Sequence, residues 1–313
     1  MESVTAGGTL PPLVILNPAS KRGKGLRRWL ERKLKGGRGE LVLTRGRGDG
    51  ERLGREAAIA GRGVVACGGD GTLAEVANGV LSTGQAVPFG LLPIGNGNDY
   101  AYYTLDLPRA DEAALEAALS GPIVPMDVGS LNGRFFVNSL GVGLDANINV
   151  AAERMKRNPL MRGQLLYWSA VLNQLIFHYG GCPTLRITLD GETEPEQAYV
   201  LAAVNTGPTA GAGFRVNHGA DPRDGLLDVC IVAKPKQMRA MQLLPVVRRG
   251  EHFKEPEVKH KRVHECTIEA DQDVYAHTDG EIIRAKRFEV ASIPKALHMR
   301  LTPAVAARFT DQG

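Results

Sequence analysis

Residues 64–72 read Val64-Val65-Ala66-Cys67-Gly68-Gly69-Asp70-Gly71-Thr72. A short apolar run ends in a glycine turn that holds one carboxylate, and helical spacing follows. Glycines let backbone N–H groups approach phosphate oxygens, and a helix N-terminus adds positive potential at the same place. Gly68, Gly69 and Gly71 therefore belong to a candidate phosphate loop, and Thr72 offers a hydroxyl to cap the helix. Asp70 would repel a phosphate. It makes sense as a ligand, direct or through water, of the Mg²⁺ that accompanies a nucleotide. A structural strand–turn–helix is the competing reading for a lone GxG; a GGDGT in this setting is far more specific. The Walker pattern GxxxxGK[ST] does not occur, which excludes a P-loop NTPase.

A second glycine turn, Gly95-Asn96-Gly97-Asn98-Asp99, follows the apolar run Phe89–Leu92. It brings another carboxylate to the same sheet edge, and Asp127 supplies a third near the end of the α/β pattern. One acid at a strand end is usually a turn or a cap. Three converging beside a phosphate loop are expected to form a metal and phosphoryl-transfer site. Lys21 and Lys24, in the basic glycine loop after Asn17-Pro18, are candidates to balance γ-phosphate charge.

The elements that must position these groups alternate. Strands are expected at Leu13–Leu16, Leu41–Leu43, Val64–Cys67 and Phe89–Leu92. Helices are expected at Leu26–Lys35, Glu51–Ala60, Thr72–Leu81 and Asp111–Leu119. Repeated strand–helix units imply an α/β domain with a parallel sheet, whose ligands bind at the carboxyl ends of the strands. After about Pro122 the pattern turns to strands with turn signals, among them Phe135–Ser139, Thr184–Leu189, Tyr199–Val204, Leu227–Val232 and Phe288–Ile293. One amphipathic helix at about Gln164–Phe177 interrupts them. The domains are thus 1–124, α/β and nucleotide-binding, and 125–313, mostly β and sandwich-like. The last strand segment is free to return to the first domain.

The 313 residues, 43% hydrophobic and 23% charged, suit two globular domains. A net charge of +4 fits an anionic partner without choosing one. Only 5% aromatic residues, with no aromatic–basic alternation, argue against a nucleic-acid platform. Four scattered cysteines form no CxxC pair, so a reducing cytoplasm is the default. His260 and His264 have HxxxH spacing but no HExxH, which disfavours a zinc site. The start of the chain lacks signal-peptide character, and no apolar run is long enough to span a bilayer.

The chain resembles the diacylglycerol kinase catalytic-domain family, which includes bacterial lipid kinases and the sphingosine and ceramide kinases. The likeness rests on Asn17-Pro18 with its basic loop, Thr44 before Gly48-Asp49, Gly68–Thr72, and Leu92-Pro93 through Asn98-Asp99. It continues in Asp127-Val128-Gly129, Phe136-Val137-Asn138, Asp224-Gly225-Leu226, Gly250-Glu251-His252 and Asp279-Gly280-Glu281. It implies ATP and Mg²⁺ as cofactors and a nucleotide cleft between the α/β and sandwich-like domains. ATP would meet Thr44 and Ala66–Thr72. A structural Mg²⁺ would be held by Asp224 and backbone oxygens near Asp221 and Leu226. Glu281 would be the base that takes the lipid hydroxyl proton, with Asp279 as its competitor.

Two departures stand out. Asn96 replaces the threonine usual before Asn-Asp, leaving its amide as the donor to the nucleotide. Tyr102 replaces an arginine. The expected partners are ATP and a lipid at a membrane surface, for a cytoplasmic enzyme peripheral to the membrane; nucleic acid is not expected, and a homodimer is open to it. The rivals are an NAD kinase-like phosphotransferase and a catalytically weak lipid- or nucleotide-binding regulator.

Overall fold

Three short apolar runs of the first third, at 13–16, 64–68 and 89–93, form strands buried along their length, as strands covered by helices are, while the strand at 40–43 is only partly buried. The protein is seen here as a computed structural model that describes residues 10–20, 22–155, 163–210 and 213–310. The chain divides into two compact units, Met1–Asp127 with Pro294–Gly313, and Val128–Ile293.

In the first unit the elements run β1 (Leu13–Leu16), α1 (Gly23–Lys33), β2 (Glu40–Leu43), α2 (Asp49–Ile59), β3 (Val64–Gly68), α3 (Asp70–Leu81), β4 (Phe89–Pro93) and α4 (Glu112–Ser120). Strands β2, β1, β3 and β4 lie side by side in that order, every pair parallel. Helices α2 and α3 meet through glycine: a Cβ on Gly79 would lie 2.1 Å from the Glu51 carbonyl oxygen, so neither helix tolerates a side chain there.

Strand β5 (Ile123–Leu131) begins in the first unit and ends in the second. The second unit continues with β6 (Arg134–Phe136), β7 (Ser139–Gly143), α5 (Leu144–Met155), α6 (Gly163–Phe177), β8 (Thr184–Leu189), β9 (Glu192–Thr193) and β10 (Gln197–Asn205). Then come β11 (Leu227–Ala233), α7 (Gln237–Arg249), β12 (Val258–Val263), β13 (Glu265–Thr278) and β14 (Glu281–Arg300), before α8 (Pro303–Thr310). From Pro294 onward β14 belongs to the first unit, where Met299 pairs with Phe89 in parallel.

Pairing in the second unit is antiparallel. Strand β11 shows how its sheet makes two cores: Leu227, Val229 and Ile231 join one cluster, while Cys230 and Val232 join the other. The first cluster is strand against strand, with Leu140, Ile187, Val204 and Phe288 at its heart. The second is covered by helices through Ile148, Val171, Leu175 and Ala240.

This unit corrects the reading of a single helix. Helices α5 and α7 stand beside α6. The first mixes asparagine and β-branched residues among its apolar positions, and the second carries Pro245 inside it, so neither has a clean helical signature. The expected strand Phe135–Ser139 is broken at Val137–Asn138 into β6 and β7.

Candidate functional site

Parallel pairing aligns Leu16 with Leu43 and Cys67, and Gly68 with Pro93, so four strands end along one edge. The turns after them enclose a groove of about 500 Å³. Of the residues singled out from sequence, Asn17, Thr44, Gly69, Gly71, Thr72 and Asn96 line it. Ser20, Arg45, Arg47 and Glu75 line it too and were missed. The arginines lie in a Gly/Arg stretch that looks like low complexity, and Glu75 looks like a solvated helix position. Glu75 in fact receives the backbone N–H groups of Gly48 and Gly50 at 3.0 and 3.1 Å, holding the start of α2 against α3. Lys21 lies outside the described residues.

Helix α3 begins at Asp70, two residues earlier than expected, with Gly69 in extended conformation as its cap. Thr72 is therefore inside the first turn and does not cap the helix. Its buried hydroxyl accepts the Asn17 side-chain amide at 3.0 Å, tying the first loop to the third. Gly68 packs beneath it: a Cβ there would lie 2.2 Å from the Thr72 hydroxyl oxygen. Ala66, Cys67 and Gly68 are buried and do not line the groove. Burial pushes the Cys67 thiol well above its ordinary pKa, which makes it inert. The Cys67 carbonyl accepts Asn17 N–H and the Gly68 carbonyl accepts Ile94 N–H.

The two glycine turns press together, since a Cβ on Gly95 would lie 2.4 Å from the Gly69 Cα. Asn98, at φ +57°, clamps its own turn by bonding Gly95 N–H and carbonyl at 3.0 Å each. Its backbone N–H donates to the Asp70 carboxylate at 2.7 Å. Burial raises the Asp70 pKa, and backbone N–H groups of Asn98, Tyr100 and Asp99 work against that rise. Asp127 is fully buried on β5 and accepts the Lys295 N–H at 2.7 Å. Among the described residues no group of three or more His, Cys, Asp or Glu is arranged to hold a metal. The expected three-carboxylate cluster of Asp70, Asp99 and Asp127 is therefore not formed. Asp127 instead fixes a left-handed backbone position, Lys295 at φ +56°.

In the second unit, Asp279 and Gly280 take φ of +49° and +86° and join β13 to β14 through a two-residue hairpin, with Thr278 paired to Glu281. The Asp279 carboxylate accepts the N–H groups of Val137, Asn138 and Ser139 at 2.7, 3.0 and 2.9 Å. It braces the break between β6 and β7. The Glu281 carboxylate is half-buried and paired with Arg134 at 2.8 Å. His277 bonds Asp145 through Nε2 at 2.7 Å. Burial alone would lower its pKa, but the Asp145 carboxylate and its hydrogen bond, with Asp279 beyond, raise it.

Asp221 and Asp224 shape a separate turn, their carboxylates accepting Arg223 and Leu226 N–H at 3.1 and 3.0 Å. Burial raises the Asp224 pKa, and the neighbouring Asp228 and Asp221 add to it. An apolar cavity of about 100 Å³ lies under α5, α6 and α7, walled by Ile148, Val171, Leu175, Phe214, Leu243 and Val247. Asp145 is the one charged residue among its described lining.

Residues 11–131 match the model of the diacylglycerol kinase catalytic domain. Residues 138–301 match that of the YegS C-terminal NAD kinase beta sandwich-like domain. The chain belongs to the diacylglycerol kinase family of lipid kinases. It is 33% identical over 257 residues to a probable lipid kinase, YegS-like, of Chromohalobacter salexigens, which spans 80% of this chain and 79% of that one. It is 25% identical over 270 residues to the diacylglycerol kinase of Bacillus subtilis, covering 84% and 86% of the two chains. A crystal structure of a diacylglycerol kinase from Bacillus anthracis shares the fold, with a TM-score of 0.69 at 20% identity over 94% of this chain and 98% of that one. The lipid kinase has no described helix long and apolar enough to cross a membrane.

Proposed function

We propose that this lipid kinase moves the γ-phosphate of ATP onto the hydroxyl of a diacylglycerol-like or other long-chain lipid, with Mg²⁺. One observation carries the reading: the groove at the strand ends is walled by glycine turns, the start of α3, three hydroxyls and two arginines. Backbone N–H groups and guanidinium charge are what a polyphosphate needs, and phosphoryl transfer asks for positioning and charge neutralisation above all. Thr44, Gly69, Gly71, Thr72 and Asn96 would take the phosphates and ribose, and Arg45 and Arg47 the charge.

The turn at Asp221–Leu226 suits a hard cation. Two carboxylates and a backbone carbonyl are oxygen donors of the kind Mg²⁺ takes. Burial first, then Asp228 and Asp221, raise the Asp224 pKa, and Arg262 at 3.7 Å opposes the rise, as a bound cation would. Asp221, Asp224 and the Leu226 carbonyl would hold that ion, which supplies local charge neutralisation when bound. Asp70 would keep the nucleotide loop in shape and carry charge toward the metal of the nucleotide. Glu281 would accept the lipid hydroxyl proton, and Arg134 would hold its carboxylate in place. The apolar cavity would seat part of an acyl chain, with Asp145 facing the polar head.

Labelled ATP incubated with the enzyme and a total lipid extract tests this. Label should enter the organic phase with Mg²⁺ and stay out of it with EDTA. Label in a water-soluble dinucleotide instead would sink the lipid acceptor, and no transfer at all would leave a binding protein.

A further inference from the structure

Helix α6 is apolar on two opposite faces. Leu166, Ala170, Val171 and Leu175 are buried against the sheet and α7. On the other side Leu165, Leu172 and Ile176 are exposed, at i, i+7 and i+11, which is one stripe of a helix. Phe177 ends the helix with 74% of its surface exposed. A helix packed on one face normally presents polar residues on the other.

Helix α7 extends this patch. Gln237 Nε2 donates to the Leu175 and Ile176 carbonyls at 2.6 and 3.0 Å, so the start of α7 meets the end of α6. Met238, 70% exposed, stands at that junction. At the other end Arg248 lies over the Trp168 ring, 5.4 Å from its centre. The two helices are thus antiparallel neighbours. Neither helix contains an aspartate or glutamate. Arg239 is taken up by Glu255 and Glu257, and Arg249 by Glu251, so the cations that border the patch without a carboxylate partner among the described residues are Lys234, Lys236 and Arg248. Lys236 and Arg248 are exposed. The inner faces of the same pair wall the apolar cavity, through Val171 and Leu175 on one side and Leu243 and Val247 on the other.

We propose that the outer face of α6 and the first turn of α7 insert into the surface of an anionic bilayer. The use of this docking rests on the lipid-kinase reading; the docking itself does not. An apolar stripe bordered by the exposed cations Lys236 and Arg248, on two helices with no acid of their own, complements anionic headgroups over acyl chains. Two copies of the chain meeting on this face would oppose cation to cation. A docked α6–α7 pair separates the leaflet from the cavity by a single layer of helix, a short route for a lipid leaving the bilayer.

Co-sedimentation with vesicles of phosphatidylglycerol and phosphatidylcholine measures the docking. Loss of one inserted apolar side chain predicts that Ile176→Glu and Phe177→Glu each weaken partitioning by about tenfold or more. Ile59→Glu, at an equally exposed apolar position on α2, should change nothing. Phe177→Trp keeps the face apolar: its emission should shift blue on these vesicles and be quenched by brominated acyl chains. Unchanged partitioning of both glutamate variants, or an unshifted indole, overturns the proposal. So does a wild-type dimer that Ile176→Glu splits without altering vesicle binding, since the face would then join two copies. Turnover of a water-dispersed short-chain diacylglycerol separates the two readings. If vesicle binding follows the prediction but no lipid is phosphorylated, docking stands and the kinase reading falls. If short-chain lipid is phosphorylated while both variants bind vesicles normally, the reverse holds.

Discussion

The backbone N–H of Asn98 donates to the Asp70 carboxylate at 2.7 Å and so joins the first turn of α3 to the loop after β4. Asp70 therefore has two duties, charge and architecture, and substitutions can separate them. Asp70→Asn keeps an oxygen acceptor and removes the charge. It should melt above Asp70→Ala and lose at least about a hundredfold in turnover, as charge neutralisation at the phosphates is lost. Asp70→Ala leaves the Asn98 N–H without its acceptor, which costs about 1–3 kcal/mol. From sequence this carboxylate looks like a loop residue whose removal spares the fold; thermal melts of the two variants decide.

The Mg²⁺ assignment to Asp221, Asp224 and Leu226 has a readout that needs no turnover. Binding to the folded state alone raises the melting temperature with ion concentration. Mg²⁺ should stabilise the wild type and leave Asp224→Ala unmoved. Equal stabilisation of both proteins would place the ion elsewhere.

His252 gives a pH dependence whose sign is fixed by its surroundings. The ring is fully buried, its Nε2 faces the Val216 carbonyl at 2.9 Å, and Nδ1 has no partner among the described residues. Burial lowers its pKa below the ordinary 6.5, and His260 and His218 lower it further. The unfolded chain thus takes up the proton first. Stability from neutral His252 is full above about pH 6.5 and is lost as pH falls through that value toward the folded one. Melting temperature followed from about pH 8 to pH 5 should fall less steeply for His252→Gln than for wild type. Parallel curves would mean that another group governs the acid limb.

The strand–helix alternation of the first third is legible because each strand is a short apolar run that stops at a glycine or proline. Ala66 and Cys67 show the limit of that legibility. A motif marks a stretch of chain, but only the fold tells that Gly69 and Gly71 face the groove while Ala66, Cys67 and Gly68 sit behind it. Glu75 escapes because its partner is far along the chain, Gly48 lying 27 positions away, and Arg45 and Arg47 escape because their Gly/Arg stretch looks like low complexity. The long strands β13 and β14 hide for another reason. Their outward residues are charged, as one open face of an antiparallel sheet allows, so hydrophobic runs mark only part of them.

The same distinction applies to the basic segment Lys254–Arg262, which from sequence alone is a candidate for anionic membranes. From Lys259 onward its charges are taken up within the fold: Lys259 bonds Glu194 at 2.6 Å, Lys261 bonds Glu192 at 2.7 Å, and Arg262 and His260 reach Asp228. Glu194 is buried. Lys259→Met should therefore cost about 1–3 kcal/mol of stability, with Lys261 at 3.7 Å limiting the loss. Its vesicle binding should stay at the wild-type level. A variant that melts normally but detaches from anionic vesicles would return the docking role to this strand.

Asp279 and Glu281 flank one glycine, and their surroundings set them apart. Asp279 spends its carboxylate on three backbone N–H groups, so it has little capacity left to accept a proton from a substrate. Glu281 Oε2 meets Arg134 at 2.8 and 3.2 Å, and the side chain remains 33% exposed. As the proposed base, Glu281 should cost about 10²–10⁴-fold in kcat when changed to glutamine. Its melting temperature should move little, because a partly exposed ion pair contributes about 1 kcal/mol or less. Asp279→Asn turns an amide N–H toward backbone donors and should cost about 1–3 kcal/mol. Steady-state kinetics and melts on both variants separate chemistry from architecture. If Asp279→Asn melts like wild type and loses the kcat, while Glu281→Gln keeps it, the base is Asp279 and the three hydrogen bonds do not govern its role.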